Sequence, residues 1–277
     1  MSKLAAKIAF MGTAIMLGVA TSPAHAQSLD DKYWLEVSAY WASVDSSIRL
    51  EPKNATIPGT KIDFENDLDL DDSEALPAIY AGARLGGNWV VGAEYYSLSR
   101  KATVNLRREI VFDDVTYPLD ADVSSKFSSD IYRFTVGYAF YRSEDAEIGG
   151  AIGLHATDFE VSLKGETQVG PGSSIQTVTR RRKALAPLPT LGLFGSVRVA
   201  PKVTASARAD YLSLTVGDYD GRLLNAQAAI SYRVLENVGI GASYRYVDYK
   251  LDVKKGNWRG NLRYEFNGPA LFLQAGF

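Results

Sequence analysis

The chain has no cysteine. Disulfide frameworks, thiolate metal sites and cysteine nucleophiles are therefore excluded. Histidine is nearly as scarce, with only His25 and His155. Basic charge is not in excess: 30 Lys and Arg stand against 32 Asp and Glu, which argues against a nucleic-acid partner. Beyond Ala26 no uninterrupted apolar run reaches the ~18 residues of a transmembrane helix. Any membrane crossing must then be made by strands.

The first residues, "MSKLAAKIAFMGTAIMLGVATSPAHA", carry Lys3 and Lys7, then an apolar stretch from Ile8 to Ala20, then Ala24-His25-Ala26. A charged start, a short apolar centre and a small-x-small end form a secretory signal peptide. The stretch is too short for a bilayer anchor, which needs ~20 residues. The expected division is a signal peptide at 1–26 and one exported domain at 27–277. Loss of Lys3 and Lys7 makes the formal net charge of −2 more acidic.

What the exported part has in abundance is alternation. "VGIGASYRYV" sets Val238, Ile240, Ala242, Tyr244 and Tyr246 against Gly239, Gly241, Ser243 and Arg245. "LNAQAAISYRV" at 224–234 and "IYRFTVGYAFY" at 131–141 repeat the pattern. Period two over about ten residues is a strand signal, and it matches the length of a tilted strand across an outer membrane. Short turns at Gly86–Asn88, Arg142–Glu147, Ala200–Lys202 and Leu235–Asn237 alternate with mostly longer polar connections, among them 54–74, 108–122 and 165–174. That rhythm belongs to membrane barrels. Strands are predicted over 33–50, 76–86, 89–109, 123–141, 147–165, 177–199, 202–217, 221–234, 238–255 and 259–277. The fold class is all-β: a transmembrane up-and-down antiparallel β-barrel of about ten strands. Segment 60–70 is expected to extend the second strand or add a small outer hairpin.

A soluble sandwich or lipocalin-like barrel would also alternate. Against it, aromatic residues gather near predicted strand ends: Tyr33, Trp34, Trp41, Trp89, Tyr141, Tyr211, Trp258 and Tyr264. Such rings form interfacial girdles. The ending "GPALFLQAGF", with Leu271, Leu273 and terminal Phe277 in alternate register, resembles the C-terminal signature of Gram-negative outer-membrane β-barrel proteins. Ala275 stands where that signature commonly has an aromatic residue. Together with "GDYDGRLLNAQAAISYRV" it is similar to small monomeric barrels of proteobacterial outer membranes, and the strand count resembles that of the omptins. The resemblance implies location in the cell outer membrane, contact with lipopolysaccharide and a monomer. It also implies that Phe277, Leu273 and Leu271 are an assembly signal read by the barrel assembly machinery.

Parity then assigns the lumen. Opposite the apolar faces stand Glu36, Arg84, Glu94, Arg133, His155, Arg198, Arg208, Asp210, Gln227, Arg233, Arg245 and Gln274. A ten-stranded tube has a backbone radius of ~10 Å, much of it taken by side chains. The charges must be paired or wet. One reading is a structural, surface-interacting barrel with a charged and mostly filled lumen. An alternative is a narrow porin-like channel with a weak anion preference, since six arginines face three carboxylates and Gly137, Gly153, Gly192, Gly239 and Gly241 leave room.

The loops offer little chemistry. Asp67, Asp69, Asp71, Asp72 and Glu74 resemble a calcium loop in spacing, but Asp72 replaces its glycine and Ala78 its final glutamate. No metal and no cofactor is expected. Arg180, Arg181, Arg182 and Lys183 sit where a strand leaves the membrane, at the height of lipid A phosphates, which suits lipopolysaccharide contact. An outer-membrane hydrolase using His155 is the third reading. Asp158 is near it in sequence, but no serine or acid is spaced to complete a catalytic group, so catalysis is not expected.

Overall fold

The computed structural model describes residues 29, 31–54, 58–168 and 175–277; the expected signal peptide lies outside them. In chain order the strands are β1 (Tyr33–Pro52), β2 (Ile62–Asp63), β3 (Ser73–Arg84), β4 (Trp89–Asn105), β5 (Ile110–Phe112), β6 (Val115–Tyr117), β7 (Asp122–Arg142), β8 (Ala146–Gln168), β9 (Ile175–Ala200), β10 (Val203–Val216), β11 (Tyr219–Leu235), β12 (Val238–Lys254) and β13 (Trp258–Gly276). Ten of these are long. Each pairs antiparallel with its neighbour in the order β1-β3-β4-β7-β8-β9-β10-β11-β12-β13, and β13 returns to β1, from Trp34↔Gly276 to Pro52↔Trp258. Toward the tight turns every one of these ten strands is paired on both sides, which a lipid environment requires; farther out the β9–β10 pairing stops at Tyr211↔Leu191 and the β3–β4 pairing at Ala78↔Tyr96. Four tight turns lie at the end that also holds the chain ends, where the Lys32 and Tyr33 amides donate to the Phe277 carbonyl at 2.6 and 2.9 Å.

Side-chain parity is constant along each strand, but polarity is not. On β12 the outward residues are first Val238, Ile240 and Tyr244, then Asp248, Lys250 and Asp252. The inward residues change the opposite way, from Gly239, Ser243 and Arg245 to the buried Val247, Tyr249, Leu251 and Val253. β1 does the same: Tyr33, Leu35, Val37 and Trp41 point out below, whereas Val44, Ile48 and Leu50 point in above. A side chain needs an apolar medium on one side or the other. Where lipid lies outside, the lumen is polar; where water lies outside, the lumen becomes the core. From Tyr33 to Trp41, at ~3.3 Å per residue and a tilt near ~40°, the lipid-facing height is ~20 Å. That approaches the ~25 Å apolar band of an outer-membrane barrel. Strands as long as β9, with 26 residues, therefore project well beyond the outer leaflet.

The aromatic girdles are correspondingly smaller than the sequence suggested. Tyr33, Trp41, Trp89, Tyr141 and Tyr211 are exposed on the outer wall. Tyr264 and Trp258 instead point inward and join the outer core, because their ends of the strands have already left the membrane. Trp34 also points inward, over Gly82. Leu271, Leu273 and Phe277 face lipid.

The projecting half is filled and covered. Phe64, Phe127, Phe159, Tyr249, Tyr264 and Phe266 form a ring cluster, with centroids 5.1 Å apart for Phe64–Phe127 and 5.0 Å for Tyr264–Phe266. Segment 58–72 folds into the mouth instead of standing in solvent: β2 pairs with Ser47 and Ile48, and Ile62, Phe64, Leu68 and Leu70 are buried. Its anchor is Arg100 on β4, only 2 % exposed. The guanidinium donates to Glu65 Oε1 at 2.6 Å, to the Asp71 carbonyl at 2.8 Å and to Ser46 Oγ at 2.7 Å. The connection 106–121 contains the hairpin β5–β6, which buries Ile110, Phe112 and Tyr117 over the same core. The two covering segments are joined by Thr60, whose amide donates to the Val111 carbonyl at 3.0 Å.

Candidate functional site

Below this apolar half, at the depth of the lipid-facing band, the lumen carries a cross-barrel ion-pair network. Neighbouring strands bring Glu94 on β4 opposite Arg133 on β7, and Gln227 on β11 opposite Arg245 on β12. Arg133 pairs with Glu94 and reaches across to Asp210 on β10 at 2.6 Å. Arg208 closes on Asp210 with two bonds of 2.8 Å. Arg245 pairs with Glu94 from the opposite wall and donates to Gln227 Oε1 at 2.9 Å. Arg84 lies 2.8 Å from Glu147, and Arg233 lies 2.6 Å from Asp31. Forked guanidinium–carboxylate contacts of this kind fix geometry as well as charge.

Sequence parity brought most of this group together, since Arg84, Glu94, Arg133, Arg208, Asp210, Arg233 and Arg245 all point inward and interact. Two carboxylates escaped it. Glu147 was read as part of a turn, although it occupies an inward position at the start of β8. Asp31 precedes the first strand, where no periodicity exists to reveal it. With both included, Arg84, Arg133, Arg208, Arg233 and Arg245 face Asp31, Glu36, Glu94, Glu147 and Asp210. The arginine excess expected from sequence is thereby removed. Arg198 lies outside the network: it points toward the turn and contacts Asp145 at 3.2 Å.

His155 is inward and 3 % exposed, 6.2 Å from the Tyr249 ring. Among the described residues its Nδ1 has no hydrogen-bond partner. Asp158 is on the opposite face of β8 and points out.

The basic run on β9 divides by parity. Arg180 and Arg182 turn inward to the tip of β5–β6, where Arg180 meets Asp114 at 2.5 Å and Arg182 pairs with Asp113. The Arg180 hydrogen bond holds the Asp114 carboxyl below its ordinary range, against the opposing effect of partial burial. Arg181 and Lys183 face out, with side chains 59 % and 61 % exposed, and share Glu160 at 3.5 and 2.7 Å. Of the acidic loop, Asp67 accepts from Arg108 Nε at 2.8 Å and from the Asp63 amide at 2.8 Å. It ties the two covering segments together.

Between the ion pairs and the end that carries the short turns lies a cavity of about 210 Å³, lined among others by Glu36, Tyr80, Arg208 and Gln274. The network above it makes a direct prediction. Arg133→Met should destabilise the barrel by about 1.5–3 kcal/mol, because Glu94 and Asp210 each lose one of two buried arginine partners. Arg208→Met should cost clearly less, since Asp210 keeps Arg133. Urea unfolding in detergent checks the order, and equal losses would contradict the sharing.

The family model of the outer membrane protein beta-barrel domain matches residues 12–266. Among solved structures, the outer membrane protease OmpT of Escherichia coli is 11% identical, with 90% of this chain and 98% of that one covered and a TM-score of 0.55. The toluene transporter TodX of Pseudomonas putida is 8% identical over 90% of each chain, with a TM-score of 0.36. The attachment invasion locus protein Ail of Yersinia pestis is 11% identical over 86% of this chain and 99% of its own, with a TM-score of 0.27. At such identity the likeness to OmpT is one of fold, and the two weaker matches carry no argument. No curated protein matches in sequence. The chain belongs to the outer membrane protein β-barrel family and resides in the cell outer membrane.

Proposed function

We propose that the protein is a closed, non-conducting barrel that presents a rigid covered surface outside the membrane. The observation that carries this reading is the apolar filling of the projecting half. An ion travelling along the lumen would have to displace Phe64, Phe127, Phe159 and Tyr264, all buried in one cluster. The desolvation cost of passing a charge through such packing is prohibitive. The balanced charges below also remove the basis for an anion filter. No catalytic role is proposed for His155, which among the described residues has no hydrogen-bond partner at Nδ1 and no route to the outer mouth through the packed core.

Reconstituted wild-type protein should give no unitary current steps in planar bilayers in molar potassium chloride. Regular steps of one size would overturn the closed reading in favour of a channel.

The outer face also supports contact with lipopolysaccharide. Lys126, Arg181 and Lys183 converge on the single carboxylate of Glu160, with Lys126 at 3.5 Å. These cations form the upper row of the patch, one outward position above Asp130 and Asp158, which face out beside Leu185 and above Tyr132. Arginine and lysine in that position suit lipid A phosphates. Exchange of both Arg181 and Lys183 to serine should abolish thermal stabilisation by added lipopolysaccharide. Exchange of Arg180 and Arg182 should leave it intact, because those two are committed to the hairpin. Equal effects of the two double variants would contradict the assignment.

A further inference from the structure

The cavity beneath the ion-pair network is held open by a repeated device. Four of its walls are aromatic, and each ring lies across a glycine of an adjacent strand. A Cβ on Gly82 would meet Trp34 Cε2 at 2.2 Å, and one on Gly92 would meet the Tyr80 hydroxyl oxygen at 2.6 Å. A Cβ on Gly149 would meet Phe194 Cζ at 2.2 Å, and one on Gly241 would meet Phe272 Cζ at 2.1 Å. Three of these pairs, Trp34↔Gly82, Gly149↔Phe194 and Gly241↔Phe272, are direct cross-strand partners. With no side chain beneath it, each ring settles against the wall. The rings therefore line the lumen without filling it. The remaining space is about 210 Å³.

The charges around this space are uneven in one respect. The arginines that line it are engaged: Arg84 with Glu147, Arg133 with Glu94 and Asp210, Arg208 with Asp210, and Arg245 with Glu94. Among the described residues Glu36 has no ion pair or hydrogen bond. It stands between Tyr80 of β3 and Gln274 of β13, its cross-strand partners, and one inward position above Trp34. With Asp210 the lining carries four arginines and four carboxylates, so the space is neutral overall, and the unpaired carboxylate beside the aromatic rings is where a cation would be held. That setting selects weakly hydrated cations over sodium or calcium, since ring faces attract a cation without replacing the oxygen ligands that a metal ion demands.

We propose that this cavity binds a small organic ammonium ion, with Glu36 as its counter-ion and Trp34, Tyr80, Phe194 and Phe272 as its walls. The site lies on the side of the chain ends and short turns, which is the periplasmic side of an outer-membrane barrel. The packed core separates it from the outer mouth. The protein would then take this ligand from the periplasm, and the closed outer half would keep it from passing through.

The test uses the full barrel in lipid nanodiscs, titrated with tetramethylammonium chloride and followed by calorimetry, with sodium chloride at matched ionic strength as comparator. Saturable binding of tetramethylammonium is expected, with no comparable binding of sodium. Glu36→Gln should weaken it about tenfold or more, a loss consistent with removal of the charge that the rings supplement. Because Glu36 has no partner in the network, this variant should keep the wild-type unfolding temperature. Gly82→Ala keeps the carboxylate but drives the Trp34 ring into the cavity, so it should weaken binding as well. Absence of saturable binding to the wild type, equal binding by Glu36→Gln, or equal displacement by sodium would each overturn the proposal.

Discussion

The structure rests on one constraint: a strand keeps its parity while its surroundings change from lipid to water. Alternation forces every residue onto one of two faces. A polar side chain facing lipid near the midplane is costly, roughly 2–4 kcal/mol for arginine. An apolar one facing water forfeits its burial. β1, β7 and β12 answer both demands by exchanging the chemistry of their faces partway along their length. A membrane barrel and a water-soluble barrel are thus joined end to end on the same ten strands. The boundary between them is a layer where Arg245 lies 5.2 Å from the Tyr96 ring and 6.0 Å from the Tyr40 ring.

Each half solves a different packing problem. The lower lumen contains charges that cannot reach bulk water easily, so they must satisfy one another. Arg133 and Arg245 approach Glu94 from two walls and tie distant strands across the tube. Such pairs add little net stability relative to apolar packing, yet removal of one partner is costly, so the network enforces one arrangement of the ring. The upper lumen is too wide to be filled by strand side chains alone. Segments 58–72 and 106–121 supply the missing apolar volume, and buried Arg100 holds the first of them in place. Closure of the outer mouth is in this sense a by-product of completing a hydrophobic core.

Much of this was legible in the sequence where periodicity operated. The ten long strands and the inward Glu94, Arg133, Arg208 and Arg245 follow from counting alternate residues. Periodicity failed in three places for physical reasons. "EIVFDDVTY" hides the β5–β6 hairpin because five of its six strand residues are buried, on both faces, leaving no alternation to read. Segment 60–70, expected to extend the second strand or add a small outer hairpin, pairs with β1 and packs into the mouth, and its acids find partners only in three dimensions, Glu65 with Arg100 and Asp67 with Arg108. Tyr264 and Trp258 were assigned to a girdle because sequence marks where a strand ends but not where the membrane ends. The inward Arg100 was within reach of the same parity count. Its role was not, because it depends on a loop 35 residues away in sequence.

The change of face chemistry can be measured residue by residue, because the chain lacks cysteine and each introduced one is unique. Spin labels placed singly at Ile240, Tyr244, Asp248, Lys250 and Asp252 of β12 all point outward. In bilayers, the labels at Ile240 and Tyr244 should be accessible to oxygen and shielded from a water-soluble nickel complex. The labels at Asp248, Lys250 and Asp252 should show the reverse. A lipid-like signal extending through Asp252 would contradict the account, since the apolar outer half would then lie within the bilayer.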